Sequence, residues 1–213
     1  MRDAVLDDAV ATLGIMLSDD HHNCFKRFYE ELRRWNSKIN LTSITNPREV
    51  SVKHFGDSLQ LLPYLPNQAR LLDIGSGGGF PSIPLAIVRP DLRITSVEAI
   101  GKKAAFQRHI VRALGLQLTV IQERIEQASL LRDQLFDCVT SRAFTDPLAF
   151  VRIASPFVAR GGSLLIMAGH LTRVDIEQLK VVAAECGLQY GGSFGYHLID
   201  GYGDHQIIVM KKQ

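Results

Sequence analysis

The chain has 213 residues, of which 46% are hydrophobic and 22% are charged, and its formal net charge is +2. This length fits one domain, or one domain with a small appendage, and the apolar content is enough for a buried core, so a disordered or collagen-like protein is excluded. The net charge is too small to indicate a nucleic-acid partner, although it permits one if the basic residues cluster.

Targeting signals and cysteine pairs are not evident in the sequence. The longest run without a charged residue, 74–88, has 15 residues and is shorter than the roughly 18 that a membrane-spanning helix needs, so we expect no such helix. The first residues turn acidic at Asp3, which does not suit a secretion signal, and we expect a cytoplasmic protein. The three cysteines are far apart and predict free thiols rather than disulfides or a zinc site.

The first sixty residues contain two predicted amphipathic helices. Their apolar residues recur at helical spacing, first as Leu6, Val10, Leu13 and Leu17 and then as Phe25, Phe28, Leu32 and Trp35. We expect residues 1–66 to form a helical extension packed on a core domain, 67–213.

From residue 70 onward, strands and helices are predicted to alternate. Strands are expected at 70–74, 93–98, 118–121, 136–140 and 163–167, and helices at 82–88, 102–114 and 147–158, with a last helix between a Thr172/Asp175 capping box and Gly187. Two further strands, 188–194 and 206–210, have no helix between them, so a hairpin makes the last strand antiparallel. The pattern predicts an α/β fold with a mostly parallel, seven-stranded sheet covered on both faces.

A glycine-rich loop follows the first predicted strand and precedes a helix. Its glycines, Gly75, Gly77, Gly78 and Gly79, allow a tight turn and close approach of a ligand to the backbone. The spacing is GxGxG, whereas the dinucleotide form needs a small residue where Phe80 stands. The loop therefore argues against a cofactor that carries a pyrophosphate.

Two acidic residues accompany this loop. Asp73, directly before it, suits a cationic ligand group better than a phosphate, and Glu98 ends the next strand, where a carboxylate can accept both ribose hydroxyls. Together they indicate S-adenosylmethionine, which carries an adenosine, a sulfonium and an ammonium but no phosphate. An ordinary βα turn is the alternative for the glycines alone, and a solvated strand end is the alternative for Glu98.

At this point the sequence resembles the class I methyltransferases and, more closely, the bacterial small-subunit (16S) ribosomal RNA guanine-N7 methyltransferase family, RsmG or GidB. The resemblance rests on ordered short blocks between Phe25 and Gly169, namely Trp35-Asn36, Asn40-Leu41-Thr42, His54, Asp57-Ser58-Leu59, Asp73 to Pro81, Ile83-Pro84-Leu85, Gly101-Lys102-Lys103, Arg124-Ile125-Glu126 and Ser141-Arg142-Ala143. It implies a Rossmann-like methyltransferase fold and methylation of N7 of a guanine in 16S ribosomal RNA or the small subunit. No heptad pattern demands a dimer, so we expect a monomer.

The resemblance also implies site residues. In that family the glycine loop binds the cofactor, which implies Gly75, Ser76, Gly77, Gly79 and Phe80 here, with Glu98 on the ribose, Ile125 and Glu126 against the adenine, and Arg142 completing the pocket. Without the resemblance, Glu126 would be interpreted as a surface residue and Arg142 as a salt-bridge partner.

The chain departs from the family pattern at two places. The family commonly ends its fifth strand with Lys-Gly, whereas this chain has Ala168-Gly169-His170, and we expect Arg142 or His170 to supply the missing positive charge. Ser82 stands where the family has a glycine after the Phe-Pro pair. We expect Ser82 to lie one turn into a helix and to matter little.

Basic residues give a candidate RNA footprint. Lys102, Lys103, Arg108 and Arg112 lie in a stretch without acids, and further cations, among them Lys53, lie in the N-terminal part. The candidate substrate contacts are Lys102, Lys103, Arg124 and His170, with Asn40 and His54 ordering the N-terminal helices near the acceptor. Solvated helix faces remain the alternative for the cations, and capping or packing roles for Asn40 and His54.

Guanine N7 has a free lone pair and needs no general base, so we expect an in-line transfer without a catalytic side chain. Cys138 lies inside a predicted strand and is expected to be a core thiol rather than a nucleophile. Two other hypotheses stay open: a methyltransferase of another RNA or of a small molecule, and a noncatalytic nucleotide sensor. A steep salt dependence of turnover would favour RNA, and binding of NAD in place of S-adenosylmethionine would favour the sensor.

Overall fold

A computed structural model describes residues 2–142 and 145–213, and a mixed sheet lies at its centre. Its seven strands in this part of the chain are β1 Arg70–Ile74, β2 Arg93–Val97, β3 Leu118–Ile121, β4 Phe136–Arg142, β5 Val158–Ala168, β6 Leu188–His197 and β7 Asp204–Lys212. They lie in the order β3-β2-β1-β4-β5-β7-β6, with β7 antiparallel to both of its neighbours and the remaining pairs parallel. The predicted fold class, including the antiparallel last strand, is confirmed.

The helices lie on both faces of this sheet. They are α1 Ala4–Val10, α2 Asp19–Ile39, α3 Pro47–Val50, α4 Asp57–Leu59, α5 Ser82–Val88, α6 Gly101–Leu114, α7 Pro147–Ala154 and α8 Arg173–Glu185. A π-helical segment, Ser51–Gly56, joins α3 to α4. The capping box predicted for α8 is confirmed, because Thr172 accepts from Asp175 N and the Asp175 carboxylate accepts from Thr172 N. None of these helices is long and apolar enough to cross a bilayer.

Two predicted helices end earlier than expected. The first was expected to continue to Leu17, but Gly14 is left-handed, with φ +65°, and terminates the helical stretch after Leu13. The helix expected to reach Val158 ends at Ala154, and a single 3₁₀ turn over Ser155–Phe157 follows. Pro156 explains the second correction, because proline donates no amide hydrogen bond and cannot continue the α-helical ladder, although Ser155 before it keeps helical dihedral angles.

The N-terminal helices and the sheet share one apolar core. Phe28 of α2 lies 5.3 Å from Phe55, 5.4 Å from Phe80 and 6.2 Å from Phe106, measured between ring centroids. The same buried cluster includes residues of β1 and β4, whereas a second cluster lies between the sheet and helices α7 and α8. The boundary at 66/67 stays a prediction, but the extension covers one face of the sheet and brings the 51–57 segment to its edge.

Candidate functional site

Two cavities lie at the carboxyl edge of the sheet, on either side of the junction between β1 and β4. In the order β3-β2-β1-β4-β5, the chain winds towards one edge of the sheet from β1 to β3 and towards the other edge from β4 to β5, although β1 and β4 are parallel. Open α/β sheets bind ligands at such a switch point. The two cavities have no lining residue in common.

The first cavity has a volume of about 370 Å³ and is formed by the ends of β1 and β2 and the turn after β3. Its lining residues are Ile74, Gly75, Gly77, Val97, Glu98, Ala99, Ile100, Lys103, Glu123, Arg124, Ile125 and Glu126. The volume is in the range of small-molecule sites. The structure thus brings five of the predicted cofactor residues, Gly75, Gly77, Glu98, Ile125 and Glu126, together with two of the predicted substrate residues, Lys103 and Arg124.

Glu98 connects the glycine loop to the turn before α6. Its side chain is buried, and its two carboxylate oxygens accept from Gly77 N at 2.8 Å and from Ile100 N at 2.7 Å. Each carboxylate oxygen has two lone pairs, so both keep capacity for a donor on a ligand. Glu98 therefore orders the loop and still presents an acceptor to the cavity.

The loop glycines are needed for two different reasons. Gly77 has φ +57°, and a Cβ added there would meet nothing within 4 Å, so only the backbone conformation favours glycine. Gly79 has φ +88°, and an added Cβ would lie 2.3 Å from Cδ1 of Ile83. The loop is consequently open on the cavity side at Gly77 and closely packed against α5 at Gly79.

The side chains of Ser76 and Phe80, also predicted to bind the cofactor, do not line the first cavity. Ser76 Oγ lies 2.5 Å from Ser96 Oγ and accepts from Gln107 Nε2 at 2.8 Å, within a buried network. Phe80 is buried and stacks on His54, with ring centroids 4.4 Å apart. Both side chains support the loop from below, and their contact with a cofactor stays a prediction.

Asp73 is fully buried beneath the loop. Its Oδ2 accepts from the amide and the hydroxyl of Ser82, whereas its Oδ1 has no hydrogen-bond partner among the described residues. Burial raises the pKa of Asp73 to about 7, although the hydrogen bonds from Ser82 and the charge of Arg142 oppose the shift. The expectation that Ser82 matters little is wrong, because Ser82 is the first residue of α5 and the direct partner of this carboxyl group.

The second cavity, about 310 Å³, lies beyond Phe80 at the ends of β4 and β5. It is lined by Ile44, Lys53, His54, Asp57, Arg142, Met167, Ala168, Gly169, Tyr196, Leu198, Tyr202 and His205. Sequence reasoning did not single out Asp57, Tyr196 and His205 as site residues. The only signal was the position of Asp57 inside one of the family blocks, since no spacing relates it to the other two.

Arg142 is the centre of a hydrogen-bond network in the second cavity. Its Nη1 donates to the carbonyl oxygen of Lys53 at 2.8 Å and to Asp57 Oδ2 at 3.0 Å. Its guanidinium lies 5.1 Å from the centroid of the Phe80 ring. The salt-bridge interpretation of Arg142 is thus confirmed, and the side chain lines the second cavity rather than the first.

His54 is held neutral by its surroundings. Burial and the charge of Arg142 lower the pKa of His54 to about 3. Its Nε2 lies 2.9 Å from Thr42 Oγ1, and Nδ1 lies 3.1 Å from Arg142 Nη2. His54 therefore packs between the N-terminal segment and the loop, and its ring forms part of the cavity wall.

The remaining predicted residues lie outside both cavities. Asn40 is the exposed C-cap of α2, in the left-handed conformation with φ +50°, which matches the capping alternative. Lys102 is exposed in the first turn of α6. His170 is exposed and does not line the second cavity, and the basic side chains that line it together with Ala168 are Arg142, Lys53 and His205 instead. Ala143 of the quoted Ser-Arg-Ala block lies outside the described residues.

Known proteins resemble this chain over most of its length. The family model of rRNA small subunit methyltransferase G matches residues 21–190. The chain belongs to the rRNA small subunit methyltransferase G family. Ribosomal RNA small subunit methyltransferase G of Geobacter sulfurreducens is 40% identical over 86% of this chain and 85% of that protein. The protein of the same name from Geobacter metallireducens is 39% identical over 95% and 93%.

Solved structures agree on the fold. A SAM dependent methyltransferase from Aquifex aeolicus superposes with a TM-score of 0.58 at 17% identity, over 78% of this chain and 93% of that one. P. horikoshii TYW2 in complex with MeSAdo gives a TM-score of 0.60 at 12% identity, over 82% and 65%. At such identities the likeness shows the fold alone. Membership of the rRNA small subunit methyltransferase G family confirms the predicted family and the predicted enzyme class.

Proposed function

We propose that the protein transfers a methyl group from S-adenosylmethionine to N7 of a guanine in 16S ribosomal RNA, with the cofactor in the first cavity. The observation that carries the proposal is the pair of acids around the glycine loop, buried Asp73 below it and Glu98 beside it, in a chain of the rRNA small subunit methyltransferase G family. Carboxylates at these two places suit a ligand with a ribose and a positive charge, and they would repel a phosphate.

The residues present fit S-adenosylmethionine. Asp73 Oδ1 is a buried acceptor without a partner in the described chain, and an incoming cationic or N–H group would satisfy it. Glu98 would accept the ribose hydroxyls, and Ile125 and Glu126 would lie against the adenine. When bound, the cofactor supplies an electrophilic methyl group on a sulfonium.

The chain itself has to align the acceptor rather than deprotonate it. The lone pair of guanine N7 is free, so no side chain needs to remove a proton before attack, and orientation can supply much of the rate. Methylation of a ring carbon through a cysteine adduct is disfavoured, because Cys138 is buried in β4 and burial raises its pKa to about 11. The burial of Cys138 therefore argues against carbon methylation through this cysteine and agrees with transfer to a ring nitrogen.

The test is methylation of small subunits from cells that lack this modification. Radiolabelled S-adenosylmethionine and the protein are incubated with the subunits, and the RNA is then cleaved chemically at N7-methylguanosine. We expect one new cleavage in one loop, and its loss in a folded Glu98→Ala variant. Label without N7-specific cleavage would contradict the acceptor atom, and no label on subunits or naked RNA would contradict the proposed reaction.

A further inference from the structure

A buried polar side chain on α6 belongs to neither cavity. Gln107 lies in the middle of this helix, is 0% exposed and faces the underside of the glycine loop. It does not line the first or the second cavity, and no step of the proposed reaction uses it. Burying an amide costs free energy unless its donors and its acceptor are paired. The hydrogen-bond partners of Gln107 therefore show what this side chain contributes.

Gln107 forms a closed ring of hydrogen bonds with Ser76 of the loop and Ser96 of β2. Gln107 Nε2 donates to Ser76 Oγ at 2.8 Å, and Ser96 Oγ donates to Gln107 Oε1 at 2.6 Å. Since the Ser96 proton is then used, the Ser76 hydroxyl donates to Ser96 Oγ, 2.5 Å away. All three side chains are buried, and each of them both donates and accepts. Such a closed chain strengthens its own members and fixes the orientation of the Gln107 amide.

The second N–H of Gln107 leaves the ring and reaches the loop backbone. Nε2 also donates to the carbonyl oxygen of Gly77 at 2.8 Å. A backbone carbonyl can only accept, so this contact and the ring agree on which end of the amide carries the nitrogen. Both donors and the acceptor of Gln107 are thereby paired, and one of the three hydrogen bonds holds the glycine loop.

Gly77 is held from both sides by side chains. Its N–H donates to Glu98 Oε2 at 2.8 Å, and its carbonyl oxygen accepts from Gln107. Packing does not hold this residue, because glycine has no side chain and even an added Cβ would meet nothing within 4 Å. Glycine is also the residue whose backbone is least restricted. The two hydrogen bonds therefore fix the peptide planes on either side of Gly77.

The orientation of Glu98 depends on this glycine. Glu98 Oε2 accepts from Gly77 N and Oε1 accepts from Ile100 N, so the carboxylate bridges the loop and the start of α6. If Gly77 turned, Oε2 would lose its donor and the carboxylate would be free to rotate about its remaining bond. Hydrogen bonds weaken steeply when their angles depart from linearity, so a rotated carboxylate would meet a ligand hydroxyl poorly.

We infer that Gln107 is a positioning residue for the cofactor: it fixes Gly77, and through Gly77 it aims the Glu98 carboxylate at the ribose hydroxyls. This inference rests on the proposed function, which places S-adenosylmethionine in the first cavity. Gln107 acts without touching the cofactor. It holds the loop in its binding conformation beforehand, so that binding does not have to order the loop.

The first test compares two ligands by calorimetry, S-adenosylhomocysteine and its 2′-deoxyribose analogue. The unaltered protein should bind the deoxy analogue about 10-fold more weakly, the value of one hydrogen bond to a charged group. Gln107→Leu keeps an apolar side chain of similar size in place of the amide. This variant should bind S-adenosylhomocysteine about 10-fold more weakly than the unaltered protein does, and it should discriminate between the two ligands by only about twofold.

The outcomes separate the inference from the proposed function. Undiminished discrimination by Gln107→Leu would overturn the inference, and so would an unchanged affinity for S-adenosylhomocysteine. Equal binding of both ligands by the unaltered protein would overturn it as well, because Glu98 would then have no ribose to recognise. Failure of the proposed function appears instead in the unaltered protein, as cofactor binding without methylation of RNA.

Gln60→Leu is the matched control. Gln60 is also a buried glutamine, 6% exposed, and its Nε2 donates to a backbone carbonyl, that of Ala9, at 3.4 Å. It lines neither cavity. Its replacement should leave the affinity for S-adenosylhomocysteine within about twofold. An equal loss of affinity in Gln60→Leu and Gln107→Leu would show that affinity merely follows stability, and the inference would fail.

A triple variant separates positioning from stability. Gln107→Leu leaves the hydroxyl groups of Ser76 and Ser96 short of one partner each, whereas Ser76→Ala/Ser96→Ala/Gln107→Leu removes the whole ring. Removing all partners together costs less stability than leaving some unpaired, so the triple variant should have the higher midpoint in urea unfolding. The Gly77 carbonyl still lacks its donor, and the affinity should stay about 10-fold reduced. Recovery of affinity together with stability would overturn the inference.

Hydrogen exchange reports on the loop directly. In Gln107→Leu the Gly77 amide should exchange about 10-fold faster, because its peptide can turn away from Glu98. The Gly75 amide, which donates to the carbonyl oxygen of Val97 at 2.8 Å, is the internal reference and should keep its rate. An unchanged rate at Gly77 would contradict action through this residue.

Discussion

The guanidinium of Arg142 and the imidazole of His54 meet at 3.1 Å, between Nη2 and Nδ1. A guanidinium can only donate, so Nδ1 of His54 must accept, and the proton of the neutral ring lies on Nε2, where it points to Thr42 Oγ1 at 2.9 Å. Protonation of Nδ1 would break this arrangement and place a cation against Arg142. The contact therefore selects one tautomer and one charge state.

The first prediction concerns stability at acid pH. His54 has an ordinary pKa of 6.5 in the unfolded chain and about 3 in the folded protein, so the unfolded state binds one more proton between these values. His54 should thus make the free energy of unfolding fall as the pH decreases from 6.5 towards 3. Urea unfolding at several pH values measures this slope. His54→Gln should flatten it, and identical slopes would contradict a neutral His54.

The second prediction is proton release on cofactor binding. The pKa of Asp73 is about 7 in the folded protein and 3.8 in its ordinary state, so this group stabilises the fold below pH 3.8 and loses that contribution as the pH rises to about 7. A cationic ligand beside Asp73 should lower the pKa, so that a proton leaves on binding near pH 6.5. Calorimetry in two buffers with different ionisation enthalpies counts the protons released.

Asp73→Asn is the control for this measurement. The amide does not titrate, so binding should be weaker and should release no proton from this position. Ser82→Ala removes the hydroxyl that favours the ionised form, and it should move the pH dependence of cofactor affinity upwards. Equal proton release by the unaltered protein and Asp73→Asn would show that another group titrates.

Two glycines of the same loop give the third prediction. Gly79→Ala should destabilise the protein by about 3 kcal/mol, because a left-handed alanine is strained and its Cβ would overlap Ile83. Gly77→Ala meets no neighbouring atom and should cost only about 1 kcal/mol, from the backbone alone. Urea unfolding of both variants compares them directly, and equal losses would contradict the close packing of Gly79 on α5.

The fourth prediction concerns salt. Lys102 is exposed, lies outside both cavities and is a candidate phosphate contact. Lys102→Gln should reduce the slope of log Kobs against log salt concentration for RNA binding by about 0.7, while cofactor affinity stays unchanged. Lys180→Gln is the matched control, since Lys180 lies on α8 and pairs with Glu177. A slope that does not differ between the two variants would remove Lys102 from the RNA footprint.

Local sequence patterns were sufficient to predict the strands and helices of much of the sheet domain. The predicted bounds of β1, α5 and β3 match the structure at every residue, because the short apolar runs there lie close to glycine, proline or polar residues. The N-terminal part was less predictable. Gly14 ends a helical stretch whose apolar spacing continues to Leu17, and the π-helical segment Ser51–Gly56 has no periodic signature of its own.

The two cavities also differ in how far their residues could be predicted from the sequence. Residues of the first cavity lie at the ends of consecutive strands, so Glu98 could be proposed from its position, and Ile125 and Glu126 from the resemblance to the family; all three line this cavity. The second cavity depends on tertiary contacts: Asp57 and Tyr196 are 139 positions apart and become hydrogen-bond partners only when the extension packs on the sheet. A single sequence carries no pairwise signal for such contacts.

The position of β7 has a consequence for protein synthesis. This strand lies between β5 and β6, so β6, which is made earlier, has no strand to pair with until residues 204–212 emerge. The second cavity needs Tyr196 from β6 and His205 from β7 together. Because domains fold as units during translation, a nascent chain whose last residues are still inside its own ribosome lacks a complete second cavity.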